Sequence, residues 1–265
     1  MAHWLETFVL PAAIAAGLLL LVLWPTEHSG RRLLKTWGIP QPAPPQVREA
    51  VRYLRQRRFL YVILFLLFPS LAGLVHRDSD RLPGIAIFVP LLVAMLVAEA
   101  IATVRPVSGV RTASLDRRSW RDLVPRWAVR TMAVASVLAV GVAVLGPAWL
   151  ALGYVVACLL FVAGLVALAV RRPSVSDEVV DAALRTRTAR VAVGIGFGWL
   201  GTALTIAIGH LRSLTFLGPE PVARPAWLTS EVVDVLDIAE FVVVAGMIVC
   251  WLWVAAPSRR SLATR

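Results

Sequence analysis

A single lysine, Lys35, and two cysteines, Cys158 and Cys250, occur in a chain of 265 residues. Both cysteines fall inside apolar runs, so no disulfide framework or CxxC metal site can be built, and they read as small packing residues. Lys35 lies in a polar stretch, which leaves no amine within an apolar run for a Schiff base and excludes a seven-helix retinal protein. The chain also lacks a Walker A loop, a GxSxG elbow, an HExxH pair and paired acids within an apolar run. We therefore assign no catalytic residue, no metal site and no cofactor, and read the chain as non-enzymatic.

Charge is scarce as well, at 16% of residues against 58% hydrophobic, a ratio that points to the bilayer as solvent. The net charge of +11 would suggest nucleic acid in a soluble chain. Here the charges sit in short stretches between apolar runs, so we expect contact with anionic lipid headgroups and no nucleic acid.

Seven runs are long enough to cross about 30 Å of hydrocarbon, which takes roughly 20 helical residues. They cover residues 8–24, 59–75, 84–104, 128–145, 148–170, 191–210 and 238–256. The first is preceded by MAHWLET, with no basic residue, and followed by no small-x-small motif, so it is expected to be a retained span and not a signal peptide. Gly146 and Pro147 separate the fourth and fifth into a tight hairpin. Of the 27 basic residues, 8 lie in 25–58, 7 in 105–130, 5 in 171–190 and 3 in 257–265, whereas Arg77, Arg81, Arg212 and Arg224 occupy the alternate segments. Lys and Arg resist translocation, so the expected fold is an all-α, seven-span transmembrane bundle forming one domain, with its N-terminus outside and its C-terminus cytoplasmic.

Segments between the runs also carry pattern. Pro40–Pro45 reads as a stiff spacer, and Val47, Val51 and Leu54 then recur at helical spacing among arginines. This predicts a basic amphipathic helix on the inner membrane surface, with Arg48, Arg52 and Arg55 as a docking surface for lipid or a partner. Residues 114–127 predict a similar helix capped by Ser114. Ser174, the acids Asp177, Glu178 and Asp181, and then Arg185, Arg187 and Arg190 predict a short cytoplasmic helix whose charges complement its dipole.

Glu99 is the acid lying well inside a predicted span, about 8 Å of helix rise from its inner end. An intramembrane carboxylate suggests a proton or ion path; the alternative is a side chain that snorkels or pairs with an arginine such as Arg105. Gly196 to Gly201 matches GxGxxG but has no βαβ context, so dinucleotide binding is excluded. Gly194, Gly198 and Gly201 instead read as a helix-packing face that places the sixth run centrally. Pro11, Pro69 and Pro90 could kink the outer halves of the first three runs. Glu231, Asp234, Asp237 and Glu240 read as a solvated first turn facing Arg212 and Arg224, and His3, His76 and His210 show no metal-ligand spacing.

ASLDRRSWRDLVPRWA (Ala113 to Ala128), together with DEVVDAALRTRTAR (Asp177 to Arg190) before a Gly-rich run, resembles uncharacterised multipass membrane proteins of actinobacteria. The excess of Arg over Lys, 26 to 1, fits that origin. The resemblance implies no activity. The sequence reading is thus an accessory or permease-like subunit of a bacterial cytoplasmic-membrane assembly, with a membrane-protein partner; the alternative is a secondary transporter or channel for a small solute.

Overall fold

The computed structural model describes residues 17, 24–75, 83–103, 119–171, 178–216 and 228–256. No strand occurs among them, and eight helices do: α1 (Glu27–Thr36), α2 (Pro44–Val75), α3 (Pro83–Thr103), α4 (Trp120–Leu123), α5 (Arg126–Leu145), α6 (Trp149–Arg171), α7 (Glu178–Phe216) and α8 (Ser230–Ala255). Among the described residues four stretches are long and apolar enough to cross a membrane: Arg126–Leu145, Trp149–Arg171, Val179–Leu214 and Glu231–Ala255. These make the chain a membrane protein by length and composition. The second and third predicted spans fall on α2 and α3; the first, 8–24, lies outside the described residues except for Gly17.

Local chemistry sets the helix ends. Thr26 caps α1 by accepting from the Ser29 amide, and Gly38, at φ 94°, ends it. A β-carbon is disfavoured at that angle, and the reversal lets Ile39 N–H donate to Leu34 and Gly38 N–H donate to Lys35, closing a Schellman motif. Gln46 reaches back at 2.8 Å to the Ala43 amide, and Pro44, which has no N–H to satisfy, starts α2. From there α2 runs unbroken through Pro69, as α3 does through Pro90, while Pro11 lies outside the described residues.

Two sequence expectations change. The helix expected over 178–190 is not separate: α7 is one helix of 39 residues, roughly 58 Å long, that continues into the sixth span. No Gly or Pro interrupts residues 178–193, so nothing in the backbone ends the helix before the apolar run begins. Ser174 and Asp177 lie outside the described residues. Of the helix expected over 114–127, residues 114–118 with the expected cap Ser114 lie outside the described residues; the rest is the short α4, which ends before Pro125, and residues 126–127 already belong to α5.

The chain forms two compact units. The first comprises Met1–Leu123, Leu165–Ala189 and Ala256–Arg265. Its core joins Leu34 and Ile39 to Val47, Ala50, Tyr53 and Leu54 of α2, Ala102 of α3, and Val180 and Leu184 of α7. The amphipathic face of α2 is thus covered by protein, where the sequence suggested a helix lying on the membrane surface. Arg48, Arg52 and Arg55 stay exposed on its other side.

The second unit comprises Val124–Gly164 and Arg190–Ala255. Ala128, Met132, Ala135, Ser136, Ala139 and Ala143 form the buried stripe of α5, and small residues there admit close helix approach. The opposite faces carry exposed Val137, Leu138, Trp149 and Leu160, apolar surface suited to lipid. In α7, 89% of the apolar window is buried, against 11% in α8.

Candidate functional site

Tyr53, Arg57 and Tyr61 recur every fourth residue on α2 and therefore share one stripe. That stripe packs along α3 where Glu99 projects, and Glu99 is 0% exposed. Its Oε1 pairs with Arg57 Nε and accepts from the Tyr61 hydroxyl at 2.7 Å, while its Oε2 accepts from the Tyr53 hydroxyl at 3.2 Å. Tyr61 in turn accepts from Arg57 Nη2 at 2.6 Å, and the Arg57 guanidinium lies 4.9 Å from the centre of its ring. Thr103 Oγ1 donates to the Glu99 carbonyl at 2.6 Å, one turn further along α3.

Burial acts to lower the pKa of Arg57, but the Glu99 carboxylate and the two phenols more than offset it, and the net shift is upward. Arg57 is therefore held charged. A buried ion pair persists when further hydrogen bonds satisfy its lone pairs, and here the two tyrosines do so. Arg187 of α7 extends the cluster, its guanidinium 5.1 Å from the centre of the Tyr53 ring.

Both oxygens of Glu99 are occupied, so the site is a clamp between α2 and α3. Arg105, the partner suggested by sequence proximity, lies outside the described residues. The i, i+4, i+8 spacing of Tyr53, Arg57 and Tyr61 is a signal that sequence reasoning missed, because Arg57 was counted only as an orienting charge. A second buried pair was missed because its charges were read as complementing the dipole of a solvated helix. Asp181 and Arg185 of α7 join at 2.6 Å, and Arg185 Nη1 donates to the carbonyls of Ala169 and Val170 at the end of α6.

The other predicted residues are dispersed. Arg48, Arg52 and Arg55 are exposed, and the Arg55 guanidinium lies 5.2 Å from the ring centre of Trp24. In the second unit, a Cβ built on Gly194 would fall 2.6 Å from Trp251 Cδ1, and one on Gly201 would fall 3.5 Å from Met247 Cβ, so both glycines face α8. Gly198 offers its carbonyl to Thr202. Arg212 pairs with Asp237 at 2.5 Å and with Glu240, joining α7 to the first turns of α8; Arg224 lies outside the described residues. His210 is exposed, and His3 and His76 lie outside the described residues. No group of His, Cys, Asp or Glu that could hold a metal occurs among the described residues. The buried Cys158 thiol donates weakly to the Gly196 carbonyl at 3.5 Å. No family model, curated protein or solved structure matches the chain.

Proposed function

We propose that this chain is a non-enzymatic subunit of an assembly in the bacterial cytoplasmic membrane, accessory or permease-like in role. It crosses the bilayer seven times with its N-terminus outside and its C-terminus cytoplasmic, a topology resting on the distribution of its 27 basic residues. The observation that carries the subunit reading is the state of Glu99. A solute or proton path needs an acid that water can reach, whereas Glu99 is buried with both oxygens engaged. That arrangement favours a helix pair clamped near its polar end over a transporter.

Arg48, Arg52 and Arg55 supply the docking surface, exposed on a helix whose other face is anchored in the protein core. The test is affinity purification from native membranes in mild detergent, comparing the wild type with the triple variant Arg48→Gln, Arg52→Gln, Arg55→Gln. A stoichiometric partner retained by the wild type and lost from a folded triple variant is expected. Recovery of the wild type as a lone species would defeat the proposal.

A further inference from the structure

Arg187 leaves the Glu99 cluster with an excess of positive charge. The group holds two guanidiniums, Arg57 and Arg187, against one carboxylate, and both Glu99 oxygens are already committed. Among the described residues, Arg187 has the face of Tyr53 as its neighbour, and its buried Nη1 has no hydrogen-bond partner. Stacking uses the face of a guanidinium; the N–H donors lie in its plane and still require acceptors. The Tyr53 hydroxyl is directed to Glu99, and the nearest acid on the same helix, Asp181, is bonded to Arg185. Among the described residues no acceptor meets Arg187 Nη1, and a cluster of two guanidiniums around one carboxylate is complementary to a further anion.

Position identifies its chemistry. Arg187 lies four residues, about 6 Å of helix rise, before the apolar run that starts at Val191. Arg57 lies two residues before the run that starts at Phe59. Both guanidiniums are thus at the polar edge of apolar helices, the level of lipid phosphates. A guanidinium fork matches phosphate oxygens.

We propose that Arg187, backed by Tyr53 and Arg57, binds the phosphate of an anionic phospholipid. This requires a membrane boundary but no protein partner, so it stands or falls separately from the subunit reading.

Native mass spectrometry of the full-length protein in neutral detergent tests it, with phosphatidylglycerol, phosphatidylcholine and inorganic phosphate as separate probes. One phosphatidylglycerol per chain is expected, held about tenfold more tightly than phosphatidylcholine. Arg187→Gln should abolish that preference, and substitution of the exposed Arg126 at the start of α5, Arg126→Gln, should keep it. Arg187→Lys, which retains charge without the fork, should bind with intermediate strength and serves if Arg187→Gln does not fold. Equal binding of the two lipids by the wild type overturns the proposal, as does an undiminished preference in a folded Arg187→Gln protein. Saturation by inorganic phosphate with no response to either lipid overturns the lipid assignment.

Discussion

The hydroxyl of Tyr61 donates to Glu99 at 2.7 Å while accepting from the arginine that pairs with the same carboxylate. Removing it should loosen the clamp without leaving a bare charge. Tyr61→Phe is expected to cost about 1–3 kcal/mol, whereas Glu99→Gln, which strands Arg57 in a buried site, should cost about 3–5 kcal/mol. The double variant Arg57→Met, Glu99→Met should be less damaged than Glu99→Gln, because both charges leave together. Unfolding followed by tryptophan fluorescence in detergent measures all three; a double variant no better than Glu99→Gln contradicts the account.

Asp181 and Arg185 form the second buried pair, and Arg185 also serves the last carbonyls of α6. Those carbonyls have no partner within their own helix. Arg185→Gln should therefore destabilise by about 3 kcal/mol or more and also fray α6. Faster amide exchange over residues 167–171 than in Asp181→Asn is the expected signature, and equal exchange in the two variants would contradict the capping role.

Gly194 and Gly201 differ in how closely α8 approaches them. Gly194→Val should clash with Trp251 and cost about 1–3 kcal/mol, while Gly201→Ala enters ordinary contact with Met247 and should change stability by less than about 0.5 kcal/mol. Trp251→Ala in the Gly194→Val background should recover part of the loss. Thermal unfolding of the four proteins checks this, and an equal penalty at both glycines would show that α8 does not discriminate between them.

The proposed topology makes its own prediction. A reporter fused after Arg265 should read cytoplasmic, and one inserted at residue 79 should read external. An external signal from the C-terminal fusion would require an even number of spans or the reverse orientation.

The choice of bilayer as solvent and the positions of α5, α6, the apolar part of α7, and α8 were legible in the sequence. Burying some twenty apolar residues in hydrocarbon is a local, additive effect that composition alone reports. The Gly146-Pro147 break was legible too, because it is a property of the backbone. Tertiary structure decided which charges leave water. Arg57 and Glu99 are 42 positions apart, and only the packing of α2 on α3 brings them together. It also decided that residues 178–190 extend α7 and bury Asp181 and Arg185, charges that the sequence places in a solvated helix. Hydrophobicity reports the medium of each segment, but the fate of a charge depends on whether a partner from another turn or helix comes within bonding distance.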